Sequence, residues 1–150
     1  MRVRRATTDD IETIVHHRRA MFEDMGYREA AAMDTMCERF RPWLRSKMEA
    51  GEYLTWFVEA DGAVASGAGL WLMDWPPHMI GRSRWRGNIL NVYTEPVYRR
   101  RGMARTLMSE ALEWCRANGV EAIILHASDE GRALYESFGF KATNEMRLVL

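Results

Sequence analysis

The stretch Asn88–Leu112, NILNVYTEPVYRRRGMARTLMSEAL, decides how the rest of the chain is read. A β-like apolar run leads through Pro96 into Arg99-Arg100-Arg101-Gly102-Met103-Ala104, and then straight into a helical pattern. A strand, a tight positive turn and a helix N-terminus in that order make a site for a phosphorylated ligand. Backbone N–H groups in the turn can point at the anion, and the helix dipole favours negative charge there. Gly102 has no Cβ, so the backbone there can come close to the ligand. Ala104 is nearly as small. The arginines offer planar forks of donors to phosphate. From Met103 onward, Ala104, Leu107, Met108, Ala111, Leu112 and Cys115 recur at three- and four-residue spacing, which puts them on one buried face. Asn118-Gly119 is the expected stop.

The competing reading of Arg99–Arg101 is a solvated basic turn, and the position at a strand-to-helix junction weighs against it. The chain has neither GxxxxGK[ST] nor GxGxxG, so nucleoside-triphosphate and dinucleotide loops are not indicated. With one glycine in the turn, ordinary backbone amides must supply most of the grip.

Arg99-x-x-Gly102-x-Ala104 resembles the [Arg/Gln]-x-x-Gly-x-[Gly/Ala] signature of GNAT-type N-acyltransferases, which use acetyl-CoA. The lead-in Tyr93–Arg99 is similar to that family's strand, bulge and proline. Ser128–Phe140 resembles its second landmark, a helix carrying Leu134-Tyr135 and ending in Gly139-Phe140. The order of elements fits over nearly the whole chain, with Gly26–Arg86 matching only in outline.

The resemblance implies an acyl-CoA N-acyltransferase fold. That is an α/β (α+β) architecture with a mixed, mostly antiparallel, strongly twisted central sheet and helices on both faces. It also implies roles. The turn residues Arg99, Arg100, Arg101, Gly102, Met103, Ala104 and Arg105 would hold the CoA pyrophosphate, with Ser128 adding to the cofactor contacts. Val92, Tyr93 and Thr94 would pair with the pantetheine arm like a short extra strand. Tyr135 would sit near the CoA sulfur and give the leaving thiolate its proton. The family has no fixed acceptor motif, so the acceptor is read from this chain alone.

A backbone N–H near Thr94 is the expected oxyanion donor. Glu95 is the best local carboxylate for taking a proton from the amine, against a bland reading as a solvated turn residue. Asn91 is expected to orient a substrate polar group from the side of the strand opposite Val92, unless a bulge changes the count. Tyr27, Trp56, Trp71, Trp75 and Trp85 are the aromatic candidates for an acceptor pocket. Of these, Tyr27, Trp75 and Trp85 are assigned to the substrate, and Trp71 and Trp75 also read as core residues.

The chain of 150 residues suits a single domain, 1–150, with a sizeable core. Lys plus Arg and Asp plus Glu number 21 each, so no surplus charge argues for nucleic acid or an anionic membrane as a partner. Arg82-Ser83-Arg84-Trp85-Arg86 reads first as a loop or lid. Cys37 and Cys115 form no CxxC or Cys/His cluster, and Cys115 reads as a small core hydrophobe. His16-His17 are not expected to face one side of a helix, and no metal is expected. No secretory signal or 18-residue apolar span is present, which points to a cytoplasmic enzyme. The expected partner is a small-molecule amine, with a homodimer left open. The alternatives are acetylation of a protein or peptide amine, and a catalytically idle CoA-binding regulatory module.

Along the chain, Met1–Ala6 reads as a strand, and Thr8 or Asp9 as the cap of a helix containing Ile11, Ile14, Val15 and Phe22. Arg18 falls on that helix's apolar side, its stem lying along the core edge. A second helix spans Glu29–Met48 and is bent or divided at Pro42. Glu52–Ala60 and Ala63–Asp74 form a hairpin around Asp61-Gly62. Gly67 and Gly69 mark a bulge or close packing in its second strand. Gly87–Thr94 and Ala122–His126 are further strands, and Gly131–Phe138 is a short helix. Lys141–Leu150 is expected to supply a last strand or hairpin pair.

Overall fold

The computed structural model describes residues 1–150. In chain order the elements are β1 (Arg2–Arg5), α1 (Ile11–Asp24), α2 (Ala30–Glu49), β2 (Tyr53–Ala60), β3 (Ala63–Asp74), β4 (Trp85–Thr94), α3 (Met103–Ala117), β5 (Ile123–Leu125) and α4 (Arg132–Ser137). The sheet order is β1-β2-β3-β4-β5, antiparallel throughout except for the parallel β4–β5 pair. This is the mixed, mostly antiparallel sheet with helices on both faces that the resemblance implies. No helix is long and apolar enough to cross a membrane.

Strand alternation sorts side chains onto two layers. Leu54, Trp56 and Val58 of β2 turn toward α3, where they join Leu70, Leu72, Ile89, Leu107, Met108, Ala111 and Cys115. Tyr53 and Phe57 turn the other way, toward Ile11, Ile14, Val15, Phe40 and Leu44 of α1 and α2. Trp56 and Trp71 belong to these layers: Trp56 meets Trp114 on the α3 side and Trp71 meets Trp43 on the α2 side.

Some sequence expectations shift. The first cap is Thr7, one residue earlier than expected, in a reciprocal box with Asp10. Pro42 does not divide α2, whose buried Phe40 and Leu44 hold both sides of it on the core. Lys141–Leu150 is not a strand. Its backbone makes no backbone hydrogen bond, and Met146, Leu148, Val149 and Leu150 are exposed. Its apolar alternation is strand-like, but a strand needs a neighbouring edge, and these residues pair with none.

Two features of β4 position the site. It pairs with β5 only from Gly87–Ile123 to Ile89–Leu125, then continues to Thr94 with no partner on that side. On its other side the register slips opposite Ala68, where Gly67 meets Tyr93 and Gly69 meets Leu90. The extra residue is a bulge, with Asn91 at φ +54°. Asn91 therefore joins Leu90 on the α1 face, while Val92 packs on the α3 face. Gly67 and Gly69 leave room beneath this bulge. A Cβ on Gly67 would stand 2.8 Å from His17 Nδ1, and one on Gly69 only 2.2 Å from Tyr53 Oη.

Candidate active site

The turn between β4 and α3 is a row of unused donors. None of the backbone N–H groups from Arg100 to Arg105 has an acceptor within the protein, and the first helical bond of α3 is Thr106 N–H to Gly102 O at 3.1 Å. Arg100 at φ +61° and Gly102 at φ +77° turn the chain so that this row precedes the helix. A Cβ on Gly102 would meet nothing within 4 Å, so glycine is required by its backbone angle and the space before it is open. Such a nest at a helix N-terminus suits a phosphate or pyrophosphate.

The three arginines separate into two kinds. Arg99 is held inward, its Nε donating to Thr94 O at 3.0 Å and its Nη2 pairing with Asp24 of α1. It is a tether between the turn and α1 rather than a free phosphate ligand. Arg100 and Arg101 have no acidic partner, and Arg101 lies over the Tyr98 ring. Met103 is buried in the α3 layer, so only its backbone faces the turn. Arg105 stacks over Phe138 at 5.3 Å, which brings α4 beside the first turn of α3.

Tyr135 of α4 is half-buried against the α3 layer, its ring over Gly131 and 6.2 Å from Phe140. Its hydroxyl has no protein hydrogen-bond partner, and burial raises its pKa. Ser128 Oγ accepts from Gly131 N–H at 3.1 Å, which organises the approach to α4.

On the α1 face, Glu95 Oε1 accepts from His16 Nε2 at 2.7 Å and lies 3.7 Å from His17 Nε2. Neighbouring residues on one helix thus converge on a single carboxylate, contrary to the sequence expectation, because both straddle the edge of α1 that faces β4. His16 is exposed and His17 is buried. Burial drives the His17 pKa down to about 4 against the pull of Glu95, so the ring is neutral. Glu95 N–H donates across the sheet to Ala65 O at 2.9 Å. By strand alternation the Thr94 N–H lies on the opposite edge, where β5 has diverged.

A family model for the acetyltransferase (GNAT) family matches residues 12–140. The chain belongs to the GNAT family. A GCN5-related N-acetyltransferase from Ralstonia eutropha JMP134 superposes with a TM-score of 0.93 at 36% identity, over 99% of this chain and 97% of that one. A predicted acetyltransferase with acetyl-CoA from Clostridium acetobutylicum has the same fold, with a TM-score of 0.90 at 24% identity over 99% and 95% of the two chains. The glucosamine 6-phosphate N-acetyltransferase of Trypanosoma brucei brucei is 33% identical over 75 residues, which are 49% of this chain and 51% of that relative's length. Acetyl-CoA-dependent transfer of an acetyl group to an amine is the chemistry that accompanies this family.

Not every residue assigned to the acceptor stands near this GNAT site. Trp75 and Trp85 lie at the opposite end of β4 from the anion turn. Trp75 N–H bonds Arg84 O, and Trp85 pairs with Asp74. From Trp85 to Asn91 is about 20 Å along the strand. They line a small recess with Pro76, Ile80, Arg86 and Glu121, and Arg86 stacks on Trp75 at 3.9 Å. Their sequence context did not reveal which end of the strand they occupy. Tyr27 is exposed beside Phe22, in a groove with Arg19, Asp24 and Met33 between α1 and α2.

Asn91 lies on the expected side, and both heteroatoms of its amide are bonded within the protein. Its Oδ1 accepts from Arg18 Nη1 at 2.8 Å and its Nδ2 donates to Tyr53 Oη at 2.7 Å. At 4% exposure it is held beneath the surface, against Arg18. The residues that sequence reading passed over are therefore His16, His17 and Arg18, consecutive on α1. The one available signal was Arg18 itself, a cation on the helix's apolar side.

Proposed function

We propose that the chain transfers the acetyl group of acetyl-CoA to the primary amine of a small molecule, by direct attack through a tetrahedral intermediate. The observation that carries this reading is the row of six acceptor-free amides, Arg100–Arg105, adjoining the unpaired edge Leu90–Thr94 of β4. The amides take the pyrophosphate, with Arg100 and Arg101 as loose cations around it. The strand edge, at Val92, Tyr93 and Thr94, takes the pantetheine arm.

An acceptor amine arrives protonated, with an ordinary pKa of about 10. Glu95 removes that proton, and exposed His16, at 2.7 Å, passes it to solvent. The Thr94 N–H faces the developing oxyanion. Tyr135, whose buried phenol keeps its proton through neutral pH, protonates the leaving thiolate.

The test is calorimetry with acetyl-CoA, followed by thiol release with amino acids, polyamines, aminoglycoside-like amines and an amino sugar phosphate. The last is included because of the trypanosomal relative's name. Binding of acetyl-CoA with thiol release on at least one amine is the expected result. No binding of acetyl-CoA overturns the reading, and a higher kcat/KM on peptides than on every free amine moves it to a protein substrate. A homodimer is part of this proposal, with the unpaired Lys141–Leu150 backbone as the segment a second copy would pair. Sedimentation velocity of the intact chain and of Leu148→Asp tests it. A monomer-sized species for the intact chain removes the dimer.

A further inference from the structure

Arg18 is a cation held in place without a counter-ion. Its guanidinium lies between two aromatic rings, 5.1 Å from the centre of Phe22 and 4.7 Å from that of Phe40. The rings give it cation–π contact but no acceptor. No Asp or Glu oxygen comes within 4.0 Å of it, whereas its neighbour Arg19 holds both Glu23 and Asp34. Of the guanidinium nitrogens, only Nη1 has a partner, Asn91 Oδ1. Nε is enclosed and has no acceptor, and Nη2 has none either but is not enclosed.

Half-burial without an anion is unfavourable for a group that stays charged at any ordinary pH. Burial accordingly lowers the Arg18 pKa, and no carboxylate offsets it. Yet the protein invests structure in holding it there. Tyr53 Oη fixes Asn91, and Asn91 fixes Arg18. Gly69 is what admits the Tyr53 hydroxyl, since a Cβ there would stand 2.2 Å from it. Asn91 itself is aimed at α1 by the β4 bulge. The two nitrogens left over, Nε and Nη2, form the side-on edge of the guanidinium, which matches two oxygens of a carboxylate or phosphate.

We propose that Arg18 receives a carboxylate or phosphate carried by the acceptor amine. The first oxygen meets Nη2, and a local shift that uncovers the enclosed Nε lets the second reach it. The proposal rests on the acetyl-transfer reading, because it places this anion relative to Glu95. Asn91 on β4 and Glu95, the residue just after that strand, both face α1, about 13 Å apart along the chain. His16 and His17, which meet Glu95, adjoin Arg18 on α1. One face thus carries a seat for the anion and a base for the amine, and suits an acceptor whose two groups are several bonds apart.

The experiment compares matched amines with acetyl-CoA saturating. One arm sets ω-amino acids of two to six carbons against their amides, and the other sets phosphoethanolamine against ethanolamine, which separates carboxylate from phosphate. For the better anion, wild-type kcat/KM exceeds that of the neutral partner by about 10–100-fold. Arg18→Gln removes this preference while leaving acetyl-CoA affinity and turnover of the neutral amine within a few-fold, and Arg18→Lys restores part of it. Equal rates on charged and neutral partners overturn the proposal, as does a preference that survives Arg18→Gln.

A second measurement does not need turnover. The Arg18 Nε–H resonance, assigned by its loss in Arg18→Gln, should shift on titration with inorganic phosphate or acetate. If no amine is acetylated, that shift supports the anion seat and a flat response overturns it. Failure of acetyl-CoA to bind is a separate result, and counts against the transfer reading alone.

Discussion

The two faces of the sheet differ in kind. Toward α3, β2, β3 and β4 present Leu54, Trp56, Val58, Leu70, Leu72 and Ile89, and the one titratable group among the buried residues of that layer is the Cys115 thiol, which burial keeps protonated. Toward α1 and α2 the same strands present Tyr53, Asn91 and two glycines, and α1 answers with His17 and Arg18. Strand alternation divides the labour. One face is filled almost wholly by apolar packing, and its one buried hydroxyl, on Ser66, is satisfied within the sheet by Tyr93 O and Thr94 Oγ1. On the other, buried polar groups are many, and Arg18 Nε and Thr55 Oγ1 are enclosed without a partner; the valence left over on Arg18, beside Glu95 and His16, points to chemistry.

The largest effect expected is on stability, from the apolar face. Leu70 is fully buried there, paired across the sheet with Leu54 and Ile89. Leu70→Ala should lower unfolding free energy by about 2–5 kcal/mol, measured by urea denaturation. Acetyl-CoA affinity and kcat per folded molecule should stay near wild type. A changed KM for the amine would break the comparison, since it would mean that the apolar face also sets the site.

Tyr135→Phe tests whether the α3 side contributes chemistry through its rim. The substitution keeps the packing over Gly131 and removes only the hydroxyl. If that hydroxyl protonates the thiolate, kcat should fall by roughly 10²-fold or more, since positioned proton transfer is worth about 10²–10⁴. Acetyl-CoA affinity and Tm should move little. The donor must carry its proton, and burial raises its pKa, so the alkaline limb of kcat should lie above the ordinary phenol range and move when the hydroxyl is removed. Normal kcat with a lowered Tm would return Tyr135 to the apolar layer.

These two substitutions also mark what was legible beforehand. The helix α3, the strand before it and the turn between them were readable because periodicity and a single glycine are local properties. The hairpin around Asp61-Gly62 was readable for the same reason, with Asp61 at φ +52° and Gly62 at φ +77°. His16 and His17 were not, because their meeting with Glu95 spans some eighty residues of chain and depends on how α1 lies across β4. Asn91 was half legible. Its side of the strand was right, but its engagement by Tyr53 and Arg18 depends on room made by Gly69 on another strand. Trp75 and Trp85 were misplaced because aromatic character carries no information about which end of a strand a loop leaves from. Lys141–Leu150 was misread because strand-like alternation says nothing about whether an edge is available.

Gly102→Val sharpens the boundary between the two faces, at the turn where the ligand would lie. Nothing crowds a Cβ at this position, so the effect should come from forcing φ +77° on a branched residue and from filling the open space before the amides. The Kd for CoA should rise by roughly tenfold, equivalent to about 1.4 kcal/mol, while circular dichroism stays near wild type. Unchanged affinity would mean that the acceptor-free amides of Arg100–Arg105 are not the phosphate site.

The smallest effect is acid sensitivity, and it should belong to the α1 face alone. His17 has a pKa near 4 in the folded chain, against about 6.5 when unfolded. Between those values the unfolded chain binds the proton and the folded chain does not, so stability rises with pH. The contribution is fully present above pH 6.5, declines as the pH falls below it, and levels off below pH 4. Going from pH 7.5 to 5.5 should therefore lower unfolding free energy by about 1 kcal/mol from this residue. In a chain of this length that is a fall of about 2–4 °C in Tm. His17→Gln should be less stable at pH 7.5, because it disturbs packing against Phe57, Gly67 and Tyr93. The decisive quantity is the slope of stability against pH, which should flatten in this variant by the amount assigned to the residue. Leu70→Ala, on the opposite face, should keep the wild-type slope at its lower stability. If His17→Gln keeps the full slope, the ring is not the neutral buried group it is taken to be, and the acid-sensitive group lies elsewhere.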